Sequence, residues 1–330
     1  MKNPLVSVIV PNYNYAIYLP LRIDSILNQS FIDFELILLD DASSDNSVEI
    51  LKRYQNIDKR ISCVIVNECN SGTPFKQWQK GIELSRGKYI WIAESDDYAD
   101  SSFLEKTVSL LEEYPMAAYC FTGSYLVDDV GYILSREMDH WTKEQQNNSM
   151  KHKMFSGVNY LAGNLYWTNY VYNASGVLFR KSSFLKMVDN TWISRRYCGD
   201  WYFWSFMALQ GDVIELYECL NYFRQHPKSV TVDSKQNDDA YVECMKECMD
   251  LTCAIEDRLS FSLYKRFLCY GNYYKMIKRQ NLETKIEQDL LKNLSTRCHN
   301  IKMAYYLERI NKCLSGIFPL LNRIKSERCR

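Results

Sequence analysis

Four apolar runs in the first hundred residues constrain the fold more than any other feature of this sequence. They are near-continuous rather than alternating, which is typical of parallel strands that are buried on both faces. The runs are Leu5 to Val10, Phe34 to Leu39, Ile61 to Val66 and Tyr89 to Ala93. Helical patterns separate them at Tyr18 to Asn28, Ser47 to Tyr54 and Phe75 to Ser85. Because strands and helices alternate, we predict an α/β domain with a mainly parallel central sheet flanked by helices.

The alternation continues along the chain until its character changes near residue 233. Gly87 is expected to end the third helix in a left-handed conformation. Further predicted elements are a helix capped by Asp100 and ending at Tyr114, strands at Met116 to Thr122, Asn173 to Arg180 and Asp212 to Phe223, and a helix at Asp200 to Gln210. The rest of the chain shows helical patterns rich in Tyr, Lys and Cys, with almost no Gly or Pro. We therefore predict a domain over residues 1–232 and a helical C-terminal appendage over residues 233–330.

Charge balance and cysteine spacing argue against nucleic acid as a partner and against a disulfide-stapled secreted domain. The 40 Lys and Arg residues balance 40 Asp and Glu residues, so no net field favours nucleic acid. Twelve cysteines lack the regular spacing of a disulfide-stapled secreted domain, which predicts reduced thiols and a cytoplasmic location. Cys244, Cys248 and Cys253 lack the spacing of a zinc site and are expected to be small buried hydrophobic side chains.

Polar clusters follow the first, second and fourth predicted strands, at the sheet edge where open α/β folds bind ligands. The clusters are Pro11 to Asn14, Asp40 to Asp45 and Glu94 to Asp97. Carboxylates that meet within a few ångströms repel one another, so they either raise a pKa or recruit a cation. Asp96 and Asp97 carry the hard oxygen ligands that Mg²⁺ or Mn²⁺ prefers, and such an ion can neutralise a diphosphate leaving group. A simple helix N-cap also explains this acidic run.

Asp41 follows a buried strand by one residue. In that position its carboxylate can accept a hydrogen bond from the ring N–H of a pyrimidine. A hydrogen bond to a charged group contributes about 1.5–3 kcal/mol, which is enough to select a base. An Asx-type turn that leads into the next helix explains the same segment equally well.

Together these motifs resemble those of the family 2 glycosyltransferases, which have the GT-A fold. Val6 to Asn14 is similar to the family's opening strand and loop, and Leu39 to Asp45 to its second strand end. Glu94 to Asp97 follows at the matching distance, so the resemblance covers roughly residues 5 to 230. It implies a Rossmann-like GT-A domain with a nucleotide-sugar half over about residues 1–125 and an acceptor half over about residues 126–232. Two departures are Ala42, where the family usually has Gly, and Gln77 to Gln79, which replaces a common Ala-Arg-Asn segment.

Position by position, the resemblance implies roles on the donor side. Asp41 would contact the base, Asp96 the ribose or donor sugar, and Asp97 a Mg²⁺ or Mn²⁺ ion. Residues of the first two clusters would also lie against the nucleotide, namely Pro11, Asn12, Asn14 and Ser43.

The segment from Arg224 to Ser229 resembles the part of the family that closes over the donor diphosphate. Arg224 would then bind phosphate, together with Lys228. His226 would complete the metal shell or touch phosphate, although lone histidines are as often ordinary polar residues.

An inverting transfer requires a base that deprotonates the attacking acceptor hydroxyl. Tyr197 to Tyr202 resembles the family's acidic motif at a helix start, so the resemblance implies that Asp200 is this base. Gly199 replaces the frequent Glu before it. Without the resemblance, Asp200 is explained as a helix cap. The acceptor side would include Ser175 and Trp201, and Trp201 is equally explained as a core residue.

The sequence therefore predicts an inverting glycosyltransferase that moves a sugar from a nucleotide diphosphate sugar, expected to be a UDP-sugar, to a glycan or lipid-linked glycan. The resemblance suggests surface polysaccharide synthesis. One alternative is a non-catalytic nucleotide-sugar or glycan-binding protein on the same fold. A sugar nucleotidyltransferase or a dinucleotide oxidoreductase fits less well, because each would carry a Gly-rich loop where Pro11 to Asn14 stands.

The C-terminal tail is basic, with seven Lys or Arg against two Glu in the last thirty residues. Apolar residues lie among these charges, so the tail can rest on an anionic membrane. This pattern predicts peripheral contact with the inner face of the plasma membrane. A solvated face on a packed helix explains it as well.

Overall fold

The computed structural model describes residues 3–137, 141, 145, 151–226 and 237–317 of the chain. The chain divides into two compact units. The first contains Met1–Val158, Tyr170–Arg195 and Gly199–Pro227, and the second contains Asn159–Asn169, Arg196–Cys198 and Lys228–Arg330. The domain boundary predicted after residue 232 lies outside the described residues.

The first unit is built on one mixed sheet. Its strands within the described ranges are β1 (Val6–Asn12), β2 (Phe34–Asp40), β3 (Ile61–Val66), β4 (Tyr89–Ile92), β5 (Tyr98–Ala99), β6 (Ala117–Val127), β7 (Ile133–Glu137), β8 (His152–Phe155), β9 (Val177–Arg180) and β10 (Asp212–Arg224). The strand order is β3-β2-β1-β4-β9-β6-β10-β5, with β7 beside β6 and β8 beside β10. The first four strands pair in parallel, and β6 pairs in parallel with β10. The other five pairings are antiparallel, and they involve β5, β7, β8 and β9. The predicted mixed sheet flanked by helices is confirmed, with its parallel part at β1 to β4.

Helices connect these strands and continue to the end of the described residues. Before residue 227 they are α1 (Leu19–Leu27), α2 (Ser47–Ile57), α3 (Pro74–Leu84), α4 (Phe103–Glu113), α5 (Gly157–Tyr160), α6 (Lys181–Phe184) and α7 (Gly199–Met207). After it they are α8 (Asp238–Glu256), α9 (Leu263–Arg279), α10 (Thr284–Arg297) and α11 (Ile301–Ile317). The predicted helical C-terminal region is therefore confirmed.

Burial explains why the sheet forms where the apolar runs occur. Every residue of β1 and β2 is buried, as expected for central strands covered on both faces. The expectation of burial on both faces is wrong for Ile61 to Val66, because β3 lies at the edge of the sheet and only its first residue is buried. In one layer of the core, Val8 and Leu36 pack with Trp91. Because β1, β2 and β4 are parallel neighbours, their carboxyl ends lie at the same edge of the sheet.

Three local predictions differ from the structure. Gly87 does not end the third helix in a left-handed conformation, because α3 already ends at Leu84. Its role is a close approach to β1, since a Cβ at Gly87 would lie only 2.5 Å from the backbone nitrogen of Ser7. The strand expected from Asn173 starts at Val177, after a 3₁₀ turn. The helix expected to reach Gln210 is α-helical only to Met207 and finishes in a 3₁₀ turn.

The second unit is helical apart from its connecting segments. α9 and α11 approach closely, because a Cβ at Gly271 would lie 2.3 Å from the carbonyl oxygen of Ala304. Of the helices in the described ranges, none is both long and apolar enough to cross a membrane. The basic tail residues Arg323, Lys325, Arg328 and Arg330 lie outside the described residues, so its membrane contact stays a prediction.

Ala42 adopts a left-handed conformation, with φ of 63°, in the loop after β2. This explains why a glycine is usual at this position of the family. The left-handed region costs a residue with a Cβ about 1–2 kcal/mol. We therefore expect Ala42→Gly to raise the free energy of unfolding by about 1 kcal/mol, measured by urea denaturation. Ala16 is a matched loop position without a positive φ, and Ala16→Gly should lower the stability. Equal effects of the two substitutions would contradict this account.

Candidate active site

Hydrogen bonds tie together the loops that follow β1, β2 and β4. The backbone N–H of Asp41 donates to the carbonyl oxygen of Asn12 at 2.8 Å. The hydroxyl of Ser95 donates to the carbonyl oxygen of Pro11 at 2.6 Å. The three polar clusters singled out in the sequence therefore form one continuous surface of the first unit.

The side chains of Asn12, Asn14 and Ser43 bridge the first two loops. Asn12 Nδ2 donates to Asp40 Oδ2 at 2.8 Å and to Ser43 Oγ at 3.2 Å. Ser43 Oγ also accepts the backbone N–H of Asn14 at 2.9 Å, and Asn14 Oδ1 accepts that of Ser44 at 2.7 Å. These residues shape the loops. Their direct contact with a nucleotide stays a prediction.

Asp41 is buried and its carboxylate accepts several hydrogen bonds. Oδ1 accepts from Asn67 Nδ2 at 2.6 Å and from Gln77 Nε2 at 2.8 Å. Ser71 donates both its backbone N–H, at 3.0 Å to each oxygen, and its hydroxyl, at 2.7 Å to Oδ2. A carboxylate offers about four acceptor sites, so a base could bind Asp41 only if one of these donors moved.

A run of acidic side chains occupies the loop after β4. Burial, followed by the neighbouring Asp96 carboxylate, raises the pKa of Glu94 to about 8. The same two causes, in the same order, raise the pKa of Asp97 to about 6. Both shifts show that negative charge in this loop is incompletely compensated by the protein.

Arg22 of α1 is the buried cation near this acidic loop. Its side chain is 0% exposed, and its guanidinium lies over the ring of Trp91 at 4.9 Å. None of its three side-chain nitrogens has a hydrogen-bond partner within the described part of the chain. Burial lowers the pKa of Arg22 to about 10, while the charges of Asp97 and Glu94 act in the opposite direction. Arg22 therefore offsets part of the acidic charge without pairing directly with it.

The end of β10 closes over the acidic loop. Arg224 donates its backbone N–H to Asp97 Oδ1 at 2.9 Å and its Nε–H to the carbonyl oxygen of Asp96 at 2.7 Å. Its Nη1 donates to the carbonyl oxygens of Asp128 and Asp129, each at 2.8 Å. Arg224 is 2% exposed. Much of its donor capacity is thus used to hold loops, and phosphate binding by its side chain stays a prediction.

His226 lies directly beside Asp96. The distance from its Nε2 to Asp96 Oδ2 is 3.0 Å, and Tyr15 meets the imidazole edge-on with ring centroids 5.5 Å apart. The structure therefore brings His226 and the acidic loop together, as the sequence predicted. Lys228 lies outside the described residues.

The turn before β9 supports the acidic loop from the other side. Asn173 Nδ2 donates to Asp97 Oδ2 at 3.0 Å. Ser175 Oγ accepts the backbone N–H of Glu94 at 3.1 Å. Because Ser175 is 0% exposed, it orients the acidic residues in this structure rather than facing an acceptor.

Asp200 lies in the first turn of α7, where its Oδ1 accepts the backbone N–H of Trp201 at 2.7 Å. The side chain of Asp200 is partly exposed, whereas Trp201 is only 9% exposed and packs into the protein. Burial makes stacking of Trp201 on an acceptor sugar unfavourable in this conformation.

Helix α3 contacts both the acidic loop and the start of α7. Trp78 donates its indole N–H to Glu94 Oε1 at 2.7 Å. Phe75 occupies the space in front of Gly199, where a Cβ would come within 2.3 Å of the ring. The two departures from the family pattern, at Gln77 to Gln79 and at Gly199, are therefore linked through one helix.

Gly199→Ala should destabilise the protein by about 1–3 kcal/mol, because the new methyl group overlaps the Phe75 ring. Alanine has the higher helix propensity, so propensity alone predicts the opposite sign. The measurement is the free energy of unfolding, from urea denaturation, of the wild type, Gly199→Ala, Phe75→Leu and the double variant. We expect the double variant to lose less stability than the two single variants lose in sum. Additive effects would show that the contact is absent in solution.

The donor set of the acidic loop fits a hard divalent cation. Burial and the Asp96 carboxylate raise the pKa values of Glu94 and Asp97, while the charge of Arg22 lowers them. Within the described residues, the acidic loop and His226 do not form a cluster of three or more ligands that could hold an ion by themselves. This arrangement suits Mg²⁺ or Mn²⁺, which commonly takes one or two carboxylates and completes its shell with water and substrate phosphates.

Several residues of the site were not assigned roles from sequence. Arg22 falls on the buried face of an amphipathic helix and carries no motif. Asn173 belongs to the segment whose resemblance placed it on the acceptor side, whereas its side chain here donates to Asp97. The sequence pointed to Gln77 and Trp78 only because they depart from the pattern of the family. The structure explains that departure, because each donates a hydrogen bond to a carboxylate of the site.

Comparison with known proteins agrees with this architecture. The model of glycosyl transferase family 2 matches residues 7–184 of the chain. The putative teichuronic acid biosynthesis glycosyltransferase TuaG of Bacillus subtilis is 38% identical over 133 residues, which is 40% of this chain and 52% of TuaG. The chain thus spans about half the length of that relative.

Two solved structures share the fold at low sequence identity. Staphylococcus aureus TarS 1-349 in complex with UDP-GlcNAc aligns with a TM-score of 0.56 and 18% identity, over 94% of this chain and 91% of TarS. The mannosyltransferase PcManGT of Pyrobaculum calidifontis, in complex with GDP-Man and Mn²⁺, aligns with a TM-score of 0.55 and 12% identity, over 97% of this chain and 88% of PcManGT. These likenesses confirm the predicted GT-A fold. With the family match over more than half of the chain, the chain belongs to glycosyl transferase family 2.

Proposed function

We propose that this chain transfers a sugar from a nucleoside diphosphate sugar to a hydroxyl of a glycan or lipid-linked glycan, with inversion at the anomeric carbon. The observation that carries the proposal is the acidic loop after β4, which meets His226 and the end of β10 at the ligand-binding edge of the sheet and in which the pKa values of Glu94 and Asp97 are raised. A UDP-sugar is the proposed donor, since TarS is a relative by sequence and a structural neighbour that has been solved with UDP-GlcNAc. The names of TuaG and TarS support a place in cell-surface polysaccharide synthesis.

On the donor side, we assign Asp97 as the residue that holds Mg²⁺ or Mn²⁺, and Asp96 as a contact of the ribose or donor sugar beside it. When bound, such an ion would take up the negative charge of the departing diphosphate. His226, which contacts Asp96, would either join the ion's ligands or orient that carboxylate. Asn173 and the backbone N–H of Arg224 keep the Asp97 carboxylate in place.

Asp41 is the proposed recognition residue for the base. A ring N–H would replace one of the present hydrogen bonds to its carboxylate, and the two donors that lie in loops, Asn67 and Ser71, are the proposed partners to be released. Pro11 and Asn12 would line the same part of the site through backbone atoms.

Asp200 is the proposed general base. Its carboxylate is partly exposed at the start of α7, so it can reach a substrate hydroxyl without desolvating a buried group. A general base at this place would accept the acceptor's proton as the hydroxyl oxygen attacks the anomeric carbon.

A thermal-shift screen of UDP-, GDP- and dTDP-sugars with and without Mn²⁺ tests the proposal. A donor that binds the native state raises Tm by mass action, and we expect the rise to depend on Mn²⁺. Release of nucleoside diphosphate from the same donor should then be measurable and should stop when EDTA is added. Binding without any release would favour the non-catalytic alternative, and no Mn²⁺-dependent shift with any donor would overturn the proposed site.

A further inference from the structure

Three cysteine sulfurs meet within the second unit, away from any motif of the family. Cys198 Sγ lies 3.2 Å from Cys248 Sγ and 4.0 Å from Cys244 Sγ, and all three sulfurs lie within 4.8 Å of one another. Cys244 and Cys248 are one turn apart on α8, whereas Cys198 comes from a segment 46 residues earlier. The sequence expectation that these thiols are only small buried hydrophobic groups is incomplete, because they form a cluster that spacing alone does not reveal.

A buried carboxylate builds this arrangement. Glu247, only 6% exposed, accepts the backbone N–H groups of Arg196, Tyr197 and Cys198 at 2.8, 2.9 and 2.8 Å. Hydrogen bonds to an ionised acceptor are about twice as strong as neutral ones. Glu247 therefore fixes the segment that carries Cys198 against the helix that carries the other two cysteines.

The exposure of the three thiols leaves a route for an ion to enter. Cys198 is buried, whereas Cys244 and Cys248 are partly exposed.

We propose that Cys198, Cys244 and Cys248 form a Zn²⁺ site, with three thiolate ligands and water in the fourth position. Tetrahedral zinc with Zn–S bonds of about 2.3 Å separates its sulfurs by about 3.8 Å, and the observed distances of 3.2 and 4.0 Å lie on either side of this value. Binding displaces the protons of the three thiols. The ion would cross-link the Arg196–Cys198 segment to α8 and stabilise the second unit, independently of sugar transfer.

Titration of the reduced, metal-free full chain with Co²⁺ tests the proposal. Thiolate ligands give Co²⁺ an intense near-ultraviolet charge-transfer band, whereas an ion on carboxylates of the acidic loop gives none. We expect the band to saturate at one equivalent and to disappear when one equivalent of Zn²⁺ is added. Zn²⁺ should also raise Tm.

Cys198→Ser/Cys248→Ser should abolish both the band and the Tm increase. The matched control is Cys298→Ser, which alters another buried cysteine of the same unit and should retain both. If the double variant does not fold, Cys244→Ser is tested in its place. The Zn²⁺ affinity of Cys244→Ser should be at least about tenfold below that of the wild type, because even the loss of a residue that only supports a metal ligand has an effect of this size.

Three results would overturn the proposal. The first is absence of the band in the wild-type chain, and the second is a band that persists in the double variant. The third is a mass loss of two hydrogens on exposure to air, mapped to a Cys198–Cys248 disulfide, in a protein that takes up no metal. That outcome would make the cluster a redox pair rather than a zinc site.

Discussion

Asp97→Asn will reduce the release of nucleoside diphosphate by about a thousandfold. A metal ion in this kind of site supplies several kcal/mol of charge stabilisation, and each 1.36 kcal/mol corresponds to a tenfold change in rate. Asparagine has nearly the same shape but binds a divalent cation weakly. The Mn²⁺-dependent part of the donor-induced Tm increase should disappear with the activity. Turnover of the preferred donor with saturating Mn²⁺ is the measurement.

Stability separates this effect from simple misfolding. Folding raises the pKa of Asp97 to about 6. The free energy of unfolding therefore falls as the pH rises from the pKa of Asp97 in the unfolded chain to its pKa in the folded protein, because ionising the buried carboxylate is unfavourable. Removing the charge at pH 7.5 should therefore leave Tm close to that of the wild type, even though one hydrogen bond from Asn173 or Arg224 is weakened. A variant with near wild-type turnover, or one that is unfolded, would contradict this account.

Asp33→Asn is the matched control for Asp97→Asn. It makes the same chemical change at an exposed position of the first unit, just before β2. We expect it to retain the activity and the Mn²⁺ response of the wild type. Any loss shared by both variants would reflect net charge rather than the metal site.

Asp200→Asn will lower kcat by about 10²- to 10⁴-fold, the range for removing a general base. Donor binding should be unaffected, because Asp200 is assigned to the acceptor and not to the nucleotide. We therefore expect Asp200→Asn to show a normal Mn²⁺-dependent rise of Tm on donor binding together with very slow turnover. Asp97→Asn should instead lose the Mn²⁺-dependent rise of Tm as well as the turnover. Initial rates and thermal shifts on the same preparations measure both quantities.

Glu49→Gln is the matched control for Asp200→Asn. Glu49 is an exposed acid in the first turn of α2, so its neutralisation weakens a helix N-terminus in the same way without touching the site. The asparagine at position 200 can still accept the Trp201 N–H through its amide oxygen. If Asp200→Asn keeps more than about a tenth of wild-type kcat, a far smaller loss than removal of a base causes, another group is the base.

The central strands and the meeting of acidic residues at one edge follow from local sequence. Each of β1 to β4 is a continuous apolar run, and parallel pairing brings the residues after those runs together whatever the details of the loops. Asp41 and Asp97 were therefore placed at the correct edge without any knowledge of tertiary contacts.

The supporting contacts depend on long-range packing and could not be obtained in this way. Asn173 reaches Asp97 across 76 residues, and Glu247 reaches Cys198 across 49. Arg22 would be expected on a solvated helix face, because an unpaired buried guanidinium is costly. The short strand β5 is fixed by its antiparallel pairing with β10 rather than by an apolar run of its own.

Helix α3 ties the residue at position 199 to Phe75. The Phe75 ring fills the space that any side chain at position 199 would need. Placing a relative's glutamate at position 199 alone would therefore leave an overlap, even if Gln77 to Gln79 were exchanged as well. Productive chimeras will have to exchange Phe75 together with position 199, and homologues with a side chain there should carry a smaller residue in place of Phe75.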